Sequence, residues 1–358
     1  LLFTARERLR SARTWVLVAV AWGIVGVVAD AGLWPHAERF PGMRVLVTAV
    51  GHGCGIVVRG PSGRCLVYDA GRLGAGSAAS RSLSSVLWGE RVRRIDTLVI
   101  SHADTDHFNA VPDLLGRFAI GEIVVPPAFL EAGAWAPRRL MALAREHGVP
   151  VRAVQAGDGW AVDPLCRVRV LHPFPAAGMA AGDNETSLVL AVETAGRRLL
   201  LTGDLEGAAL DRFVSLAPER CDVLVAPHHG SLSSLPPTLA TATDADWVVV
   251  SGASSPGWSR VRDAYAAARA EGTRVVKTGP DGGRGGGAIE LVLSAEGVAT
   301  RQFVHGKWEC VPGQEAMPDR DPSGIAGPDL VRTQPAAMIA SWLATKPASS
   351  MSTPLVKP

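Results

Sequence analysis

The chain has 358 residues, with 36 Lys and Arg against 34 Asp and Glu, a net charge of +2, 47% hydrophobic residues and a mean hydropathy of +0.17. That length and apolar content supply one large core with extra segments, and a charge so close to neutral is not in itself a nucleic-acid footprint. The five cysteines (Cys54, Cys65, Cys166, Cys221 and Cys310) are odd in number and lack C-x-x-C spacing, which excludes a zinc knuckle and a complete disulfide framework.

In chain order, Arg6, Arg8, Arg10 and Arg13 precede an uninterrupted apolar run over residues 15–29. The run falls short of the ~20 residues of a membrane helix, although Ala31, Gly32, Leu33 and Trp34 extend it past Asp30. Read as a span, its basic flank stays in the cytoplasm and the rest of the chain lies outside. A start at Leu1 rather than methionine then reads as a fragment carrying the last membrane helix of a larger channel. Read as a signal peptide, it would be cleaved at Ala29-Asp30-Ala31. Both readings set residues 1–40 apart and turn the following domain away from the cytoplasm.

Short strands over 44–50, 55–58 and 65–69 form a meander, the third ending in the turn Asp69-Ala70-Gly71. The apolar strand 95–100 follows Arg91, Arg93 and Arg94, which read either as solvated entry charges or as a track for DNA phosphates. It leads into Ser101-His102-Ala103-Asp104-Thr105-Asp106-His107. Two imidazoles and two carboxylates within six residues are donors suited to a divalent cation. Helix capping by Asp106 or Asn109 accounts for one acid, not for the H-x-D-x-D-H pattern. Residues 128–147 have helical spacing, with His147 at the helix end and His172 in a loop. Strand 199–204 ends in Gly203-Asp204, and strand 222–226 ends at Pro227-His228-His229-Gly230-Ser231. A strand over 247–251, an alanine-rich helix over 261–271 and a strand over 273–277 follow. Cys65, Cys166 and Cys221 lie in strand-like runs as small core residues, and Cys54 reads as structural. The glycine run 282–287 lacks the G-K-[ST] ending of a phosphate loop and reads as a long hairpin. Residues 306–358, rich in Pro, Ser, Ala and Met, read as a loosely attached tail, with helical spacing only over 336–344.

Taken together, Val50-Gly51-His52-Gly53, the H-x-D-x-D-H segment, Asn184 to Leu190, Leu201-Thr202-Gly203-Asp204-Leu205-Glu206 and Pro227 to Ser231 resemble the metallo-β-lactamase superfamily. Within it they are similar to the C-terminal domain of ComEC-type competence channels, the membrane proteins of bacterial DNA uptake. The resemblance implies an α/β fold over residues 41–305, a four-layer αββα sandwich preceded by the hydrophobic helix. It also implies two divalent metal ions, with His102 and Asp104 on the first, Asp106 and His107 on the second, and Asp204 bridging. One of His228 and His229 would complete the second. Asp106 and Asp204 would be central to catalysis, supported from behind by Asp69, Asn184, Ser187 and Ser231. Asp104, an aspartate in place of a histidine, hardens the site toward manganese or magnesium relative to zinc, which suits a phosphodiester better than a β-lactam.

Three departures stand against that pattern. Ala49 and Cys54 occupy places where acids flank the opening glycines. No histidine lies near Asn184, and Ser255-Pro256-Gly257-Trp258 offers no imidazole after the 247–251 strand. The expected function is a metal-dependent nuclease acting on DNA at the outer face of the cytoplasmic membrane. The alternatives are a catalytically degenerate domain shaping a DNA channel and a secreted lactone or β-lactam hydrolase.

Overall fold

The structure is a computed structural model describing residues 14–23, 42–175, 182–252, 257–269, 272–279 and 287–311. Residues 14–23 form helix α1, on which Trp15, Leu17 and Trp22 are exposed. Among the described residues no helix is long and apolar enough to cross a membrane. The remainder of the expected span and the candidate cleavage site lie outside the described residues.

The chain continues through β1 (Gly42–Val47), β2 (Gly55–Arg59), β3 (Cys65–Ala70), α2 (Gly76–Gly89), β4 (Arg94–Val99), α3 (Thr105–Phe108), α4 (Val111–Leu115) and β5 (Ala119–Val125). Helices α5 (Pro127–Glu131) and α6 (Trp135–Glu146) then lead to β6 (Val151–Ala153), β7 (Gly159–Asp163), β8 (Cys166–His172), β9 (Val189–Thr194) and β10 (Arg197–Leu201). After α7 (Gly207–Ser215) come β11 (Val223–Val225), α8 (Pro236–Thr243), β12 (Trp247–Val250), α9 (Trp258–Ala266) and β13 (Arg274–Lys277). The last elements are β14 (Ile289–Ser294), β15 (Gly297–Val304) and β16 (Lys307–Cys310).

These strands form a nine-stranded sheet, β16-β15-β14-β1-β2-β3-β4-β5-β6, and a seven-stranded sheet, β13-β12-β11-β10-β9-β8-β7. Side-chain alternation dictates the layering. In β3, Leu66 and Tyr68 enter the cluster shared with Val168, Leu190 and Leu199 of the other sheet, whereas Cys65 and Val67 pack with Leu83 and Leu87 of α2. That two-residue period, apolar on both faces, marks a strand covered on both sides. The second sheet likewise packs its outer face against α7, α8 and α9 through Leu210, Leu239 and Tyr265. Two sheets inside and helices outside make the four layers.

Several local expectations need correction. Residues 128–147 form two helices rather than one, because Ala132 turns to φ −56°, ψ 119° and releases the chain before Trp135. His172 ends a strand instead of lying in a loop, and its Nδ1 meets the Ser187 carbonyl at 2.8 Å. The tail does not begin at 306: His305 and Gly306, both with positive φ, turn the chain into β16, whose Trp308 stacks under the Arg301 guanidinium. The expected 282–287 hairpin and the 336–344 helix lie essentially outside the described residues. The cysteines are unpaired; Cys221 is buried just before β11, and Cys310 is exposed.

One side chain pins the two sheets together beside the strand ends. The buried Tyr68 hydroxyl donates to the Leu188 carbonyl at 2.6 Å. Replacing Tyr68 with Phe leaves that carbonyl buried without its donor, so urea unfolding should show a loss of about 1–3 kcal/mol with the native fold retained.

Candidate metal centre

β3 and β4 run parallel, so both deliver their C-terminal ends to the same edge. At the end of β3, Asp69 adopts φ 58°, a left-handed conformation that aspartate tolerates better than most residues. Its fully buried carboxylate accepts the Ser101 backbone N–H at 2.7 Å and the Ser101 hydroxyl at 2.8 Å, and meets His107 Nδ1 at 2.8 Å. Gly71 follows, and a Cβ there would come within 2.4 Å of the Asp106 carbonyl oxygen. Only glycine lets the two loops lie this close.

The hydrogen bonds assign the imidazole tautomers. A carboxylate can only accept, so His107 Nδ1 donates to Asp69. The Ser101 hydroxyl spends its proton on Asp69, so His102 Nδ1, at 2.9 Å, donates to that oxygen. His229 Nδ1 donates to the Ser251 carbonyl at 3.0 Å, and His228 Nδ1 to Glu206 at 2.8 Å. In each ring Nε2 faces the site, and the Nε2 atoms of His102, His107 and His229 are buried with no hydrogen-bond partner. Three orphaned ring nitrogens converging on carboxylates fit a divalent cation, whose ligating histidines are oriented through the opposite nitrogen in this way.

Two groups of donors result. His102, His107 and Asp204 offer ligand atoms within 4.8 Å of one another, and so do His52, Asp106 and His229. Asp204 lies between the groups: its Oδ2 is 3.2 Å from His107 Nε2, 3.5 Å from His229 Nε2 and 4.0 Å from His228 Nε2. The structure groups the donors differently from the expected pairing of Asp106 with His107 on one cation. They are successive residues on α3, about 100° apart around a helix, so His107 turns inward beside His102 while Asp106 turns toward His229. Asp104 stays half exposed, 3.6 Å from His102 Nε2 and outside both groups.

Electrostatics follow the geometry. Burial disfavours the His107 imidazolium, but Asp204 and Asp69 on its two sides outweigh that and hold its pKa well above the usual range. Burial likewise pushes Asp204 up, and the surrounding imidazoles, His107 first, bring it well below the ordinary carboxylate value. Asp106 is lowered too, burial being offset by His229 and His107.

His228 and His229 owe their placement to a rare backbone. Both have positive φ, 48° and 53°, followed by Gly230 at 75°. Such conformations cost on the order of 1–3 kcal/mol per residue, and here they direct two successive rings toward one pocket. Ser187 receives the Asp204 backbone N–H at 3.2 Å. Asn184 reaches Glu206 instead, donating at 2.6 Å, and Ser231 accepts the Ser233 N–H to cap the following turn. Sequence reasoning missed Glu206, on which Asn184, His228 and Ser233 converge, and His52; both lie within segments that carry the family resemblance, but only the tertiary contacts give them roles.

Replacing Asp69 with Asn removes the obligate acceptor behind His107, so calorimetry should record a 10–100-fold loss of divalent-metal affinity. Because Asp204 and Asp69 raise the His107 pKa, a cation taken up at that ring should displace protons. Calorimetry in buffers of different ionisation enthalpy would measure that release, which should shrink as the pH is raised through the elevated pKa of His107.

A family model described as Metallo-beta-lactamase superfamily matches residues 47–244. Among curated proteins, the chain is 31% identical to ComE operon protein 3 of Bacillus subtilis over 52% of this chain and 25% of that protein. It is 27% identical to Competence protein ComA of Neisseria gonorrhoeae over 79% of this chain and 37% of that protein. Recombination protein 2 of Haemophilus influenzae is 26% identical over 61% and 25%. The chain thus spans 25–37% of the length of these relatives. Among solved structures, CmlA, a diiron β-hydroxylase of Streptomyces venezuelae, is similar at TM-score 0.45 and 15% identity, covering 70% of this chain and 54% of that one. Zn(2+)-bound PqqB of Methylobacterium extorquens is similar at TM-score 0.44 and 11% identity, covering 68% and 99%. With more than half its length matched by the family model, and with two sheets between helical layers, the chain belongs to the metallo-β-lactamase superfamily.

Proposed function

We propose that this chain is a metal-dependent phosphodiesterase acting on DNA outside the cytoplasm, as part of a competence-type uptake protein. The observation that carries the reading is the Asp204 carboxylate standing between two donor groups whose imidazole Nε2 atoms face it. His102, His107 and Asp204 would hold one divalent cation with Asp104 beside them, and Asp106 and His229 the other with Asp204 shared. Manganese or zinc, with magnesium also possible, would lower the pKa of a shared water and stabilise charge on the attacking and leaving oxygens. Two aspartates among the donors, with Asp104 beside them, favour the harder cations.

The chain's own residues do the rest. Asp69 and Ser101 keep His107 and His102 in the tautomer that leaves Nε2 free. Asp106 on α3, its side chain 17% exposed, stands beside the half-exposed His52 on the side of the site toward which a substrate phosphate would come. Glu206 holds His228 at the rim with its Nε2 toward Asp204. Similarity to proteins named for competence and recombination supports DNA as the substrate, and the 25–37% coverage of those proteins supports a larger protein as the setting. The basic flank followed by α1, apolar and exposed on all sides, is the basis for a membrane anchor with the domain on the extracytoplasmic side.

The purified protein, loaded in turn with manganese, magnesium and zinc, should cleave DNA and bis(p-nitrophenyl) phosphate. Asp106→Ala and Asp204→Asn should each abolish that cleavage. Turnover of a lactone or β-lactam instead would reassign the substrate, and metal uptake without any hydrolysis would replace the nuclease with a channel-shaping domain. For the topology, protease added to spheroplasts should digest the domain after Pro35, and resistance to it would place the domain inside.

A further inference from the structure

We infer that His52, in the turn between β1 and β2, is a ligand of the second cation; the inference rests on the two-cation reading above. Among the nine histidines, none lies between His229 and His305. The strand ends after β11 therefore bring no further imidazole. Trp258, at the start of α9, instead covers the Lys277 ammonium at 5.0 Å. Apart from the shared Asp204 and the turn after β1, the second donor group would have, among the described residues, only Asp106 and His229. His52 fills that deficit: its Nε2 is 4.0 Å from Asp106 Oδ2, and its ring centroid is 4.6 Å from that of His229.

This approach is built into the backbone rather than left to a loose surface side chain. The His52 carbonyl accepts the Leu73 N–H at 2.7 Å. Gly53, at φ 143°, lies so close to the Gly71-Arg72 backbone that a Cβ would come within 2.5 Å of it. Gly71 in turn is packed against the Asp106 backbone, which sets His52 in register with the carboxylate it faces. On the other side, the Ser251 hydroxyl donates to the Gly53 carbonyl at 2.9 Å, while the Ser251 carbonyl takes His229 Nδ1. One residue just after β12 thus holds the His229 ring and the turn that carries His52, and the buried, unpartnered Nε2 of His229 points into the space the two rings share with Asp106. The His52 side chain is about half exposed, so the ligand lies at the mouth of the site and can be replaced without opening the core.

The test is metal content and affinity, not turnover. Wild-type protein, His52→Gln and His52→Gly would be loaded with manganese or zinc, desalted and analysed for bound metal, with cobalt absorption reporting the ligand field. The wild type should hold two ions and both variants one, the weaker-bound ion losing roughly 10-fold or more in affinity. Adding imidazole to His52→Gly should restore the second ion and the cobalt spectrum. Two ions retained in both variants at unchanged affinity would overturn the assignment, as would one ion in the wild type that the substitutions leave untouched. A wild type that takes up no metal would instead sink the two-cation reading on which it rests.

Discussion

A buried aspartate organises everything at the rim of this sandwich. Asp69 has no exposure to solvent, and a carboxylate in such a place is tolerated only when its charge and lone pairs are fully met. It is met by the backbone and hydroxyl of Ser101 and by the ring of His107, that is, by the first and last residues of the loop that carries the metal-type donors. Strand β3 therefore holds the loop after β4 in one shape, and through Ser101 it also fixes the ring of His102. Each bond does double service, relieving the cost of burying Asp69 and leaving an imidazole nitrogen free to face the site.

The second sheet supplies the matching half. Its strands β10, β11 and β12 are parallel and end at the same edge, bringing Asp204, the His228-His229 turn and Ser251 against the loops of the first sheet. Gly203, at φ 55°, passes so close that a Cβ would lie 2.8 Å from the Ser101 Cβ. The Leu188 N–H donates to the Ser101 carbonyl at 2.8 Å, and the Tyr68 hydroxyl returns a bond to Leu188. The site is consequently a seam between sheets, and its precision depends on how they pack.

Strain and charge are concentrated along that seam. Three successive residues with positive φ, from His228 to Gly230, are held by the His228 N–H to the Gly203 carbonyl at 3.1 Å and by the contacts of each ring. Glu206 collects Asn184, His228 and Ser233, and although burial pushes its carboxyl up, the Asn184 and His228 contacts bring it below the usual range.

The amino-acid sequence by itself determined the strand segments and the donor types at their ends, while the layers were implied by its resemblance to the superfamily. Period-two apolar strands, strand ends bearing Asp69, Asp204 and His228-His229, and the compact H-x-D-x-D-H segment are local patterns, and local patterns survive without a structure. What only the tertiary structure decided is which donors share a point in space. Residues 106 and 107 are neighbours in the chain yet face different groups, because helix geometry separates adjacent side chains by about 100°. His52 and His229 are far apart in the chain, yet their ring centroids lie 4.6 Å apart, because Ser251 binds both the His229 ring and the turn that carries His52. Glu206 has no local signature at all, since its role consists of contacts from three other segments. Spacing along a chain reports direction within one element, whereas a ligand set is a property of several elements meeting, and that meeting is set by the packing of the two sheets.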